Sequence, residues 1–294
     1  MSASHPRQGA DGTTAGGGDA RNLARRVASA AVMVPLALAI AYWGGLVFTA
    51  VCAAAACVIL WEWTHLVSRV ADLRILVPGL AALAGAALLL ALGVSAQWPA
   101  LLIAGGACVA AVALATSPRA NASALWGACG IGYAGVALFA PVVLRSDPQF
   151  GLAALMFLFA VVWSTDILAY FVGRAVGGPL LWPRVSPKKT WAGAVGGLAG
   201  GVAAGILVAY ASVGTRLVAV GTLAFLLSIV AQGGDLLEST VKRRFGAKDA
   251  GSLIPGHGGV MDRLDGFLVA ALMAVLIGLA RQGLAAPAKG LLLW

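Results

Sequence analysis

Acidic and basic side chains are concentrated in one stretch of an otherwise apolar chain, between Asp235 and Asp265. Five of the eleven Asp and Glu residues lie there, together with five Lys or Arg residues and one of the three histidines. Charges are costly beside long apolar segments, so a cluster of both signs points to chemistry. Carboxylates supply the oxygen ligands that Mg²⁺ prefers, and Lys and Arg neutralise phosphates. The stretch therefore predicts a site where metal and phosphate meet.

Helical spacing places several of these side chains on shared faces. Asp235 and Glu238 are three residues apart, and Lys242 follows Glu238 by four, a spacing that also suits a simple ion pair. Asp262 and Asp265 share the first turn of a later apolar segment, after glycines that leave backbone N–H groups open to an anion. Helix-dipole stabilisation, about 0.3–1 kcal/mol, accounts for one of these two aspartates but not for the whole cluster.

Two earlier segments add candidates. Asp166 lies about two turns inside an apolar segment, where a functional role is the default for an ionisable group and a helix–helix hydrogen bond is the alternative. Lys188 and Lys189 follow Pro187 in the next connector and suit membrane anchoring and phosphate binding equally well. Thr190 is a candidate N-cap of the helix that follows.

The elements that must position these residues are membrane helices. Hydrophobic residues make up 61% of the chain and charged residues 11%, and apolar runs of about 20 residues recur, each long enough to cross a bilayer. We predict an all-α polytopic membrane protein with about nine transmembrane helices. The predicted spans are 24–43, 46–66, 75–94, 98–115, 123–143, 150–172, 191–212, 217–236 and 262–282.

Composition divides the chain into three regions. Residues 1–23 form a flexible cytosolic tail, 24–148 the N-terminal transmembrane helices, and 149–294 the C-terminal transmembrane catalytic region. Glycines in the seventh span, such as Gly197 and Gly201, predict close helix packing. Glu62 and His65 beside tryptophans fit an interfacial belt at the end of the second span, which we favour over a functional role. The basic residues are scattered in short loops, which argues against nucleic-acid binding.

The distribution of cations predicts the orientation. Of the 20 Lys and Arg residues, 16 lie in the N-terminal tail and the loops that follow the even-numbered spans, which places the N-terminus in the cytosol. The charged ends of spans six to nine then share one cytosolic level, which predicts phosphoryl or nucleotidyl transfer at the inner membrane face. The residues at that level are Asp166, Lys188, Lys189, Asp235, Asp262 and Asp265.

The block from Ser239 to Asp265 resembles the signature of the phosphatidate cytidylyltransferase (CDP-diacylglycerol synthase) family. The family pattern is S-x-apolar-K-R, four residues, K-D-x-small, two residues, apolar-P-x-H-G-G-apolar-x-D-R-apolar-D, and every fixed position matches. The segments around Asp166 and Ser186–Trp191 also resemble the family, so the likeness covers the C-terminal half. One departure is Ala192, where many members carry Glu.

The resemblance implies a membrane nucleotidyltransferase that converts CTP and phosphatidic acid to CDP-diacylglycerol and pyrophosphate. It implies Mg²⁺ held by Asp235 and Asp262, with no obligatory base role for His257, because phosphatidate is already an anionic nucleophile. The candidate catalytic residues are Asp166, Lys188, Lys189, Asp235, Asp249, His257, Asp262 and Asp265. The candidate phosphate ligands are Lys242, Arg243, Lys248 and Arg263.

The expected location is a bacterial inner membrane, with the lipid bilayer as partner and a homodimer as a candidate assembly. A CDP-alcohol phosphotransferase is one alternative, but its D-G-x-x-A-R pattern is absent: Phe267 and Leu268 follow Asp265-Gly266, with no Arg after them. A transporter is the non-enzymatic alternative. It predicts charges near mid-bilayer in both halves, whereas the N-terminal spans have almost none.

Overall fold

The chain folds into apolar helices with one short β-hairpin. The computed structural model describes residues 31–116, 123–214, 216–251, 253 and 258–294. Eight of its helices are long and apolar enough to cross a membrane, and a shorter apolar helix precedes them. The helices are α1 (Ala31–Trp43), α2 (Gly45–Ser68), α3 (Leu73–Ala91), α4 (Gln97–Ala115), α5 (Ser123–Arg145), α6 (Gly151–Val176), α7 (Trp191–Val213), α8 (Leu217–Arg244), α9 (Met261–Gln282) and α10 (Pro287–Leu292).

This architecture confirms the predicted fold class. The described part of the first span begins at Ala31, and the predicted tail at 1–23 and the connector at 117–121 lie outside the described residues. The main departure in the spans is α8, which ends at Arg244 rather than at 236. Glu238 and Val241 are buried on this extension, and Glu238 pairs with Lys242 one turn further on, so the helix continues beyond its apolar run.

A β-hairpin and the helix α10 were not predicted. Strands β1 (Leu180–Trp182) and β2 (Ser186–Thr190) form an antiparallel hairpin between α6 and α7. Thr190 then caps α7 as predicted, since its hydroxyl accepts the Gly193 N–H at 3.1 Å. After α9, the chain turns back as α10, whose Leu291 and Leu292 are fully buried.

The helices pack as two groups that meet at α9 and also between α5 and α6. Helices α2 to α5 contact one another, as do α6 to α9, and both α2 and α5 also contact α9. In the first group, the Trp63 indole N–H donates to the Trp126 carbonyl at 2.8 Å and so joins α2 to α5. The predicted division at 148/149 falls between the two groups and stays a prediction.

Helices α6 and α7 touch through their backbones, as the glycines of the seventh span predict. A Cβ at Gly197 would lie 2.6 Å from the Thr165 carbonyl oxygen, and one at Gly201 would lie 2.3 Å from the Thr165 hydroxyl oxygen. Both distances are shorter than real contacts allow, so only glycine fits there. This close approach fixes the hairpin, which connects the two helices, against the end of α8.

We expect Gly197→Val to separate α6 from α7 and to destabilise the protein by about 1–3 kcal/mol, because added atoms must displace backbone. The measurement is thermal unfolding of the purified protein in detergent. Gly105→Ala is the matched control: Gly105 is also within an apolar helix, with nothing within 4 Å of its Cβ position. Equal melting temperatures for both variants would contradict the close contact.

Candidate active site

Lys242 joins the two helices that carry most of the charge. Its Nζ lies 2.5 Å from the Asp262 Oδ1 on α9 and 2.9 Å from the Glu238 Oε1 on α8. The Glu238 contact is the i, i+4 pair that the spacing allowed, whereas the Asp262 contact spans the connector between the helices. All three side chains are largely buried, with exposed fractions of 11%, 9% and 1% for Lys242, Asp262 and Glu238. The cation therefore holds two carboxylates at one helix end.

Asp262 also orders the connector that leads into its own helix. Its Oδ2 accepts the backbone N–H of Ala250 at 2.9 Å and that of Gly259 at 2.8 Å. Gly258 has a φ of +82°, and a Cβ there would lie 2.8 Å from the same oxygen. Glycine is required at that position for both reasons. Gly258 thus serves the close approach of the backbone to Asp262.

Lys189 ties the hairpin to α8. Its ammonium forms an ion pair with the Asp235 Oδ2, and the Ser239 hydroxyl lies 3.4 Å from the Asp235 Oδ1. The Lys189 and Asp235 side chains each keep 29% exposure, so the pair lies at the mouth of the cluster. The two neighbouring lysines therefore differ: Lys189 reaches a carboxylate, and Lys188 points outward and is exposed.

Among the described residues, carboxylates outnumber lysines in this cluster and at its edge. Five carboxylates come from three helices, against the two lysines Lys189 and Lys242, and those on α6 and α9 are close enough to act on one another electrostatically. The carboxylates are Asp166, Asp235, Glu238, Asp262 and Asp265. Neither oxygen of Glu238 has a hydrogen-bond partner among the described residues, because the Lys242 contact has the distance but not the angle of one. Such an excess favours binding of a cation.

The remaining predicted residues are at the periphery. Asp166 is exposed on α6, within the electrostatic reach of Asp235, Asp265 and Lys189. Asp265 accepts the N–H of Gly266 at 2.7 Å and is half-buried. His257 lies outside the described residues. The other exposed candidates are Arg243 in the last turn of α8, Lys248 and Asp249 in the connector, and Arg263 at the start of α9.

Glu62 is the residue that the sequence interpretation missed. The belt interpretation is wrong for it: Glu62 is fully buried, and its oxygens accept the N–H groups of Val260 at 2.9 Å and Met261 at 2.8 Å. Trp61 beside it is 43% exposed, as a belt residue would be. The available signal was an ionisable side chain within an apolar helix, which by itself indicates function.

The donor set fits a divalent cation that arrives with a phosphate. Among the residues that the structure describes, no three His, Cys, Asp or Glu side chains form a preformed metal cage. Mg²⁺ commonly uses one or two carboxylates and completes its shell with substrate phosphates and water. Asp235 on α8 and Asp262 on α9 are the candidate ligands, each paired with a lysine, and exposed cations in neighbouring segments are available for the phosphates.

Comparison with known proteins agrees with the family resemblance of the sequence. A model of the cytidylyltransferase family matches residues 24–279. Proteins named phosphatidate cytidylyltransferase in Brucella suis biovar 1 and Brucella abortus are each 45% identical to the chain over 257 residues, which is 87% of this chain and 93% of each relative. The protein of that name in Bacillus subtilis is 39% identical over 137 residues, 46% of this chain and 51% of that protein.

We expect Asp262→Asn to lower the turnover of CTP by about 100-fold or more, because a metal ligand contributes several kcal/mol to the transition state. Steady-state kinetics at varied Mg²⁺ checks this. The control is Asp147→Asn, since Asp147 likewise accepts two backbone N–H groups, those of Gln149 and Phe150, each at 2.9 Å. A folded Asp262→Asn protein with near-normal turnover at limiting Mg²⁺ would refute the metal assignment.

Proposed function

Because the chain belongs to the cytidylyltransferase family, we propose that it converts CTP and phosphatidate to CDP-diacylglycerol and pyrophosphate in a bacterial membrane. The observation that carries the proposal is two ion pairs on α8: Lys189 of the hairpin pairs with Asp235, and Lys242 pairs with Asp262 at the start of α9. This arrangement provides metal ligands and counter-charges for phosphates within reach of the bilayer, where the lipid substrate resides.

The reaction needs positioning and charge neutralisation more than proton transfer. A phosphate oxygen of phosphatidate attacks the α-phosphorus of CTP, and the bond from that phosphorus to the oxygen that bridges to the β-phosphate breaks. Pyrophosphate leaves with the electron pair. The nucleophile is already an anion, so the step proceeds without an obligatory general base.

This chain's own residues account for the remaining requirements. Asp235 and Asp262 would hold Mg²⁺, which supplies Lewis-acid stabilisation of the charge that passes to pyrophosphate. The exposed Lys188 and Lys248 flank the cluster and would bind phosphate oxygens as flexible point charges. Asp166 lies on an exposed stretch of α6 beside the apolar Ile167, which is 54% exposed. That stretch offers the lipid a path from the bilayer to the cluster.

The proposal also fixes the site on the cytosolic side, where CTP is available, with the N-terminus on the same side. The predominance of Lys and Arg in the corresponding loops supports this orientation. A homodimer is the assembly included in the proposal, and the mass of the purified protein in detergent tests it.

The function is tested with radiolabelled CTP and phosphatidic acid in mixed micelles. We expect CDP-diacylglycerol and pyrophosphate in equal amounts, complete loss of both on chelation with EDTA, and recovery with added Mg²⁺. The controls replace phosphatidic acid with diacylglycerol, which lacks the attacking phosphate. Product formed without phosphatidic acid, or in the presence of EDTA, would contradict the reaction or the metal requirement respectively.

The orientation is tested with single cysteines in a protein whose native cysteines have been replaced. Arg184→Cys, in the turn of the hairpin, should react with a membrane-impermeant maleimide in inverted vesicles but not in intact cells. Ala285→Cys, between α9 and α10, should show the opposite pattern. Both positions are exposed. The reverse result at the two positions would overturn the cytosolic site.

A further inference from the structure

A carboxylate from the N-terminal half of the chain supports the start of α9. Glu62 on α2 uses both oxygens: Oε1 accepts the Val260 N–H at 2.9 Å, and Oε2 accepts the Met261 N–H at 2.8 Å. The partners are about 200 residues apart in sequence, and the Glu62 side chain is fully buried. Val260 is the N-cap residue of α9 and contributes no side-chain cap of its own. Glu62 therefore provides the cap that the local sequence lacks.

The connector is also shaped around this carboxylate. A Cβ at Gly251 would lie 2.7 Å from the Glu62 Oε1, and one at Gly259 would lie 2.5 Å from it. These two glycines are eight residues apart, so the connector approaches Glu62 both near its middle and just before α9. Side chains at either position would push Glu62 and the connector apart.

Burial makes this an expensive way to cap a helix. A buried carboxylate loses its hydration, which is repaid only in part by hydrogen bonds and the positive end of a helix dipole. A Ser, Thr, Asp or Asn at position 260 would cap the helix locally, through the N–H groups of residues 262 or 263. A long-range cap does something further, because it fixes where the helix end lies relative to the rest of the protein.

The fixed helix end is the one that carries Asp262. Three consecutive N–H groups are shared between two carboxylates: Gly259 donates to Asp262, and Val260 and Met261 donate to Glu62. The depth and direction of Asp262 therefore depend on the Glu62 hydrogen bonds. We propose that Glu62 is a positioning residue that holds Asp262 in its working geometry, an inference that rests on the proposed function of Asp262.

The test compares Glu62→Gln and Glu62→Ala with Thr64→Val as the matched control. Thr64 is equally buried on α2, but its hydroxyl donates to the Leu60 carbonyl of its own helix. Gln keeps the shape and one acceptor oxygen, so it retains one of the two hydrogen bonds. Each variant is measured by hydrogen exchange over residues 258–262 without ligands, and by kcat and KM for CTP across a range of Mg²⁺ concentrations.

We expect faster exchange at 260 and 261 in both Glu62 variants and normal exchange in Thr64→Val. We also expect kcat to fall about 10- to 100-fold in Glu62→Gln, because small displacements of a catalytic group have effects of this size. The KM for CTP should stay near the wild-type value, and the Mg²⁺ concentration for half-maximal rate should rise. If Glu62→Ala does not fold, Glu62→Gln carries the same comparison.

A double variant tests the contact independently of folding. Gly259→Ala should slow the enzyme strongly when Glu62 is present but add little to Glu62→Ala, because the shortened side chain no longer meets the added Cβ. If exchange becomes faster in the Glu62 variants but kcat and the Mg²⁺ dependence stay at wild-type values, Glu62 is only a structural cap and the proposal is wrong. Unchanged exchange in these variants would also overturn the proposal. If the wild-type protein does not turn over CTP, the proposed function is wrong. The wild-type assay shows this without any of the variants.

Discussion

A carboxylate inside an apolar helical bundle has to find a cation or a set of N–H donors, and the charged end of this protein is organised by that requirement. Asp235 finds Lys189, and Asp262 finds Lys242 and two backbone N–H groups. Glu62 finds only N–H groups, at the start of α9. Each solution joins two different elements of the fold, so meeting the cost of burial also assembles the site.

The unequal balance of charge follows from the same requirement. Lys242 has to serve Glu238 and Asp262 together, which leaves the buried Glu238 without a well-directed hydrogen bond. If stability were the only requirement, apolar side chains of similar size would serve as well as these buried charged groups. Retaining them makes sense where the surplus negative charge receives a cation during the reaction.

Much of the fold could be predicted because membrane helices depend on local composition. Continuous apolar runs of sufficient length identify the spans, and glycines at helical spacing predict that α7 packs closely against another helix. Thr190 was predictable as a cap because the capping residue precedes its helix directly. The hairpin was missed because its strands are short and include Pro187, and α10 because six residues carry little periodic signal.

The sequence predicts which residue types form the candidate site but not which side chains contact one another. The sequence places Asp235, Lys242 and Asp262 in one charged block, yet which lysine meets which carboxylate depends on how α8 and α9 pack. Glu62 was misassigned because its partners are backbone groups on a helix some 200 residues away, which no local pattern reports. Neighbouring tryptophans made an interfacial role plausible there, and only the packing of α2 against α9 distinguishes the two.

The contact between Glu62 and α9 has a consequence for biogenesis. Helix α2 is synthesised long before α9. Glu62 therefore lacks its N–H partners in the membrane until α9 has been inserted. The charged end cannot mature before that moment, whatever the state of the helices between. Separately synthesised halves of the chain would therefore each carry an incomplete site. Their association in the bilayer would restore the contact between Glu62 and the start of α9.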